Sequence, residues 1–176
     1  MNTLKNALKK GQMIAMNVPE IKQKVYEATS NEKWGPTGPQ MRFLSDRTSS
    51  YEDFPLIMEA IWERLGDDGK NWRHVYKSLL LLDYLLRNGS QQVVREARAH
   101  VIEIKTLSHF QHIDEKDKDV GLSVRERAKQ VVELIHDDRR LKEERQKAKS
   151  NRDKYSVSIS SDSARRGYGG SRSPGY

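Results

Sequence analysis

The stretch Gly69-Lys70-Asn71-Trp72-Arg73-His74-Val75-Tyr76-Lys77 is the richest in groups able to do chemistry in this chain of 176 residues. Lys70, His74 and Lys77 stand at i, i+4 and i+7, so a helix starting here aligns three nitrogen donors on one face. The first turn of a helix also presents unpaired N–H groups at the positive end of its dipole. Together these make a site for a phosphate. The same spacing equally describes a solvated basic helix start, and on these residues alone both readings stand. Trp72 and Tyr76 fall at packing positions and read as core rather than as ligand platforms.

The other polar constellations carry less. His109 and His112, with Asp114 and Asp117 nearby, have a spacing seen in zinc sites, but they fall in an expected loop with no further ligand motif. They read as loop or packing residues, and no metal or cofactor is expected. The chain has no Cys, no Gly-x-Ser-x-Gly elbow, no Walker loop and no dinucleotide-binding glycine pattern. Its acidic residues sit mostly beside bases, as from Asp137 to Glu144, which is the pattern of a salt-bridged solvated face. No enzyme is expected. The absence of cysteine also excludes a disulfide framework and fits a reducing, cytosolic setting.

The basic and acidic residues number 32 and 25, giving a formal net charge of +7 that points to an anionic partner. Nucleic acid fits poorly, because the aromatic residues lie at helical core spacing rather than among Lys and Arg on an open platform. The Arg166-Gly167-Tyr168-Gly169-Gly170-Ser171-Arg172 end could touch RNA only weakly. The longest apolar run, Leu79 to Leu82, is far short of the roughly 18 residues that span a bilayer. No apolar stretch suited to a signal peptide follows Lys5, Lys9 and Lys10. The expectation is therefore a protein neither secreted nor membrane-spanning.

What must position these residues is all helix. The periodicity predicts helices near 19–29, 38–48, 51–66, 71–88, 91–106, 123–136 and 138–153. Pro19 suits a first helical turn, Asn88-Gly89 a helix end, Ser90 an N-cap, and Ser123 with Glu126 a capping box. Val75, Leu79, Leu82 and Leu86 share a face that Tyr76, Leu80 and Leu81 widen almost all round, so the 71–88 helix is the central one. Ile57, Met58, Ile61, Trp62 and Leu65 stripe the helix before it. Val93, Val94, Ala97, Val101 and Ile104 stripe the one after, and short connections favour a compact helical stack. Residues 1–17 form a weakly amphipathic segment with Leu4, Ala7, Leu8, Ile14 and Ala15 on one side and Lys5, Lys9 and Gln12 on another. Gly11 taxes that helix by about 1 kcal/mol, so order is expected only when something binds it. From Tyr155 to Tyr176 the Ser/Gly/Arg-rich composition predicts a disordered tail.

A family resemblance follows from motifs that recur in order over residues 3–154. They are Val25-Tyr26-Glu27-Ala28-Thr29-Ser30-Asn31 with Trp34-Gly35-Pro36; Ile61-Trp62-Glu63-Arg64-Leu65; and Gly69 through Leu79. Further along come Asp83-Tyr84-Leu85-Leu86-Arg87-Asn88-Gly89-Ser90, Phe110-Gln111-His112-Ile113-Asp114, Val124 to Lys129 and Arg140 to Arg145. The chain resembles the epsin N-terminal homology (ENTH) domain of the epsin family.

The resemblance implies an all-α fold, a right-handed superhelical stack of seven to eight helices over residues 18–154. It also implies a peripheral adaptor that binds phosphoinositide headgroups in clathrin-coated vesicle formation, with an N-terminal helix zero that wedges into one leaflet and promotes curvature. The headgroup positions carried over are Lys5, Lys9, Lys10, Asn31, Arg64, Lys70, His74 and Lys77, and the inserting ones are Leu4, Leu8 and Ile14. Clathrin and adaptor proteins are the implied partners, through regions outside the domain, with cargo or SNARE proteins beside them and a monomer in solution. The implied setting is cytoplasmic, on clathrin-coated vesicles at the plasma membrane or the trans-Golgi network and endosomes. Tyr26 stands where many epsins carry Arg, and the basic positions of helix zero fall on Leu8 and Gln12. A weaker pocket, or one tuned to fewer phosphates, and a shallower wedge are the expected consequences. The alternative reading is a helical protein-interaction scaffold with weak lipid binding.

Overall fold

A computed structural model of the chain describes residues 7, 8, 11–13 and 16–166, the stretch 155–166 as backbone alone. The backbone is helical at residues 7–8 and 11–13, where the amphipathic spacing lies. Helix α1 (Glu20–Ala28) begins directly after Pro19, which is its N-cap rather than a residue of its first turn. Helix α2 (Gly38–Arg47) starts with a reciprocal cap: Gln40 N donates to Thr37 Oγ1 at 3.3 Å and Thr37 N donates to Gln40 Oε1 at 2.9 Å. Helix α3 (Asp53–Leu65) carries the predicted stripe, with Ile57, Met58, Ile61 and Leu65 buried. A single 3₁₀ turn at Gly69–Asn71, capped by the Asp68 carboxylate, leads into α4 (Trp72–Asn88).

Helix α4 is the centre of the molecule. Val75, Leu79, Leu81, Leu82, Leu85 and Leu86 are fully buried, and α2, α3, α7 and α8 all pack against it. A helix apolar on most sides can be stable only when wrapped in this way. It ends at Asn88, as the sequence predicts, but Gly89 is extended (φ −80°, ψ −177°) rather than left-handed. Glycine is needed there for closeness instead: a Cβ would lie 2.7 Å from Leu85 O and 3.1 Å from Thr48 Oγ1.

Two predicted boundaries are corrected. The expected single helix 91–106 is two, α5 (Gln91–Ala99) and α6 (Val101–Thr106), divided at His100. The His100 ring stacks on Trp62 with centroids 4.4 Å apart and reaches both Glu96 and Glu103, so the break sits where side-chain contacts compete with helix register. After a 3₁₀ turn at Leu107–His109, α7 runs over Gly121–His136, starting two residues earlier than expected. Its first turn is satisfied by Asp119, which accepts from Leu122 N at 3.2 Å, so the Ser123–Glu126 box does not form. Ser90 does hold the N-cap position of α5, yet its hydroxyl makes no cap bond; its N–H donates to Thr48 Oγ1 at 2.8 Å.

The last helix, α8 (Asp138–Arg166), overruns the boundary predicted at Tyr155. Between Asp138 and Arg166 there is no Gly or Pro to stop it, and the first such residue is Gly167. Residues 167–176 of the predicted tail lie outside the described residues. Among the described residues the only β pairing is an isolated bridge, Ile113 with Asp119, and no helix is long and apolar enough to cross a membrane.

Candidate functional site

Several parts of the chain converge on one groove of about 800 Å³. Tyr26 and Glu27 come from α1, Asn31 and Trp34 from the loop after it, and Arg64 from the end of α3. Asn71 comes from the 3₁₀ turn and His74 from the start of α4, while Gln12, Met13 and Met16 close the groove from the N-terminal side. A second groove of about 790 Å³ runs between α4, α5 and α8, but its arginines are spent within the fold. Arg87 pairs with Asp83, Arg98 with Asp138 and Arg152 with Asp46, and Arg145 donates to backbone carbonyls. The first groove is therefore the candidate site.

Arg64 is the one fixed cation among its described lining residues. The guanidinium lies over the Tyr26 ring, 4.7 Å from its centroid, and 3.7 Å from Asp67 Oδ2. Burial draws its pKa below the usual arginine range, against the pull of Asp67 and Tyr26. His74 Nδ1 is 2.7 Å from Asp67 Oδ2, and Arg64 Nη1 stands 2.6 Å from Nδ1 and 3.2 Å from Nε2. Arg64 Nη1 and Asp67 Oδ2 both approach Nδ1, which can donate to the carboxylate or accept from the guanidinium but not both.

Tyr26 supplies a wall instead of a charge. Its hydroxyl donates to Glu63, and burial together with that carboxylate pushes its pKa up to about 12. Glu63 is also held by Lys22 at 3.0 Å, so the acid is occupied and turned away from a ligand. Asn31 Nδ2 donates to Asn71 Oδ1 at 2.8 Å, placing two amides side by side at the rim. Arg64 can offer a phosphate-bearing ligand charge-assisted hydrogen bonds, the amides neutral ones, and the histidine a donor at Nε2 once its ring is protonated.

Of the predicted headgroup residues, Asn31, Arg64 and His74 line the groove, with Gln12 beside them. Lys70 is exposed on the 3₁₀ turn and is not among the lining residues. Lys77 is a correction: it is 3% exposed and donates to Ser30 O at 2.5 Å and Glu32 O at 2.7 Å, so it pins the loop instead of facing a ligand. Leu8 is 61% exposed, as an inserting residue requires. Lys5, Lys9, Lys10, Leu4 and Ile14 lie outside the described residues. Asn71, Trp34 and Met16 went unmarked in the sequence, because their roles depend on the loop closing against the start of α4. His112 packs against Gly69 and His109 is exposed; among the described residues no cluster of His, Asp and Glu could hold a metal.

Comparison with known proteins gives a consistent result. A family model described as the ENTH domain matches residues 18–141. The epsin of Dictyostelium discoideum is 60% identical over 167 residues, covering 95% of this chain and 24% of that protein. Clathrin interactor 1 of Homo sapiens is 50% identical over 151 residues, 85% of this chain and 24% of its own length. The solved ENTH domain from epsin-2 in complex with phosphatidylinositol 4,5-bisphosphate superposes with a TM-score of 0.72 at 39% identity, covering 76% of this chain and 97% of that one. The chain thus spans about a quarter of the length of these curated relatives.

Proposed function

The chain belongs to the ENTH domain family, and from that premise we propose that it is a non-enzymatic, peripheral membrane adaptor module that binds phosphoinositide headgroups and promotes curvature in clathrin-dependent trafficking. The observation that carries the proposal is the groove itself, where Asn31 from the loop after α1 meets Arg64 from the end of α3 and Asn71 and His74 from the turn into α4. The likeness to an epsin-2 domain that holds phosphatidylinositol 4,5-bisphosphate supports the ligand class. The likeness to clathrin interactor 1 supports the pathway. Residues 1–17 serve as the membrane segment, bringing Lys5, Lys9 and Lys10 over the groove and Leu4, Leu8 and Ile14 into the leaflet. Residues 18–154 form the domain, which works as a monomer on cytosolic membranes. Tyr26 lowers the cation count of the pocket and suits it to a lipid with fewer phosphates.

The test is co-sedimentation with vesicles carrying each phosphoinositide in turn. Arg64→Gln should weaken binding at least about tenfold, because a well-aligned charged bond contributes about 1.5–3 kcal/mol. Leu8→Glu should abolish vesicle tubulation while soluble headgroup still binds. Gly11→Leu should raise both helicity and tubulation, since a side chain at Gly11 meets nothing within 4 Å. Wild-type protein that ignores every phosphoinositide sinks the proposal and favours the protein-interaction scaffold.

A further inference from the structure

Trp34 is 59% exposed, and its ring is the largest apolar surface on the loop joining α1 to α2. We propose that Trp34 is a second membrane anchor, entering the headgroup–acyl boundary of an anionic bilayer beside the groove that holds the headgroup. The inference rests on the phosphoinositide reading above and adds to it a contact independent of helix zero.

The exposure is imposed by the fold. A loose loop would fold so large a ring against the protein, since apolar surface in water is costly. This loop cannot, because it is fastened at three points. Lys77 holds the carbonyls of Ser30 and Glu32, Asn31 is tied to Asn71, and the Thr37–Gln40 cap fixes the chain just past Pro36. The other two tryptophans are committed to the protein: Trp62 stacks on His100, and Trp72 packs on the core under the Arg73 guanidinium.

Position and chemistry identify the bilayer as the occupant. Trp34 lines the same groove as Arg64 and His74, so a membrane whose headgroup reaches those residues must also meet the ring. Met16, 77% exposed, lines the groove as well, so an apolar rim stands beside Arg64, with the Glu27 and Glu32 side chains also in the lining. An indole, apolar in body with one N–H donor, suits the interfacial layer better than either water or the hydrocarbon centre.

The experiment uses the full chain, phosphatidylcholine vesicles containing phosphatidylinositol 4,5-bisphosphate with plain or brominated acyl chains, and soluble inositol trisphosphate. Wild-type tryptophan emission should be quenched by brominated vesicles, and shifted to the blue without quenching by plain ones. Trp34→Ser should lose that quenching and bind vesicles about tenfold more weakly, with unchanged affinity for inositol trisphosphate. Trp34→Tyr, which keeps an interfacial ring, should retain most of the vesicle binding. Wild-type protein that binds vesicles without quenching, or Trp34→Ser that binds them as wild type does, overturns the anchor and leaves the headgroup reading intact. Equal loss of inositol trisphosphate in Trp34→Ser also overturns it, by assigning the ring to the headgroup. A wild type that binds neither probe overturns both proposals together.

Discussion

Lys77 is the residue whose environment departs furthest from its sequence reading, and its burial has a measurable consequence. Burial, with Arg73 repelling it from nearby, brings its pKa down to about 8 from an ordinary 10.5. The folded state then holds this proton less tightly than the unfolded chain. Between about pH 8 and 10.5 the unfolded chain binds more protons at this site, so its contribution to stability rises with pH. Below that window both states are charged and the site adds no slope. Denaturant unfolding of wild type and Lys77→Met across this range should show a rising difference in favour of wild type, and parallel curves would mean the amine is solvated. The i, i+4, i+7 spacing misled because Lys70 lies on the 3₁₀ turn, before α4 begins at Trp72. A face counted from Lys70 therefore does not continue into the helix. His74, inside α4, lines the groove.

Among the elements, the 3₁₀ turn at Gly69–Asn71 matters most, because it sets Asn71 against Asn31 and leads Lys70 to the surface. Its entry is a close fit: a Cβ on Gly69 would lie 2.6 Å from His112 Nδ1 and 2.9 Å from its Cγ. Gly69→Ala should therefore push the 110–120 loop outward and cost about 1–3 kcal/mol, read by thermal unfolding. His112→Ala in the same background should recover most of that loss, and no recovery would place the strain elsewhere. The longer helices were legible, since their apolar stripes repeat at helical spacing over three turns or more. What was not legible were the breaks and caps. The division at His100 and the cap by Asp119 depend on Trp62 and on the loop before α7, partners that periodicity within one helix cannot reveal. The Thr37–Gln40 cap was local and visible in principle, as a Thr followed three residues later by Gln.

At the scale of the whole molecule, α8 is tied to the middle of the chain well past the matched family region, which ends at residue 141. Arg145 donates to Leu86 O at 2.5 Å and Gly89 O at 2.6 Å, covering carbonyls where α4 ends and the turn into α5 begins. Arg152 reaches Asn88 O at 3.4 Å and the Asp46 carboxylate on α2. A chain ended after Leu141 should lose at least about 3 kcal/mol relative to one ended after Lys154, because several charge-assisted bonds leave together. Equal denaturation midpoints would mean that these contacts are idle. The same arrangement has a mechanical consequence. Arg145 and Arg152 lie along one helix and grip α4, the following turn and α2 side by side, so tension on the far end of α8 loads those bonds in shear. Bonds loaded in parallel fail together and at high force, whereas bonds at a peeling edge fail one by one. A tug from that end is therefore delivered to the central helix of the domain, while the groove, built from its opposite end, keeps its shape.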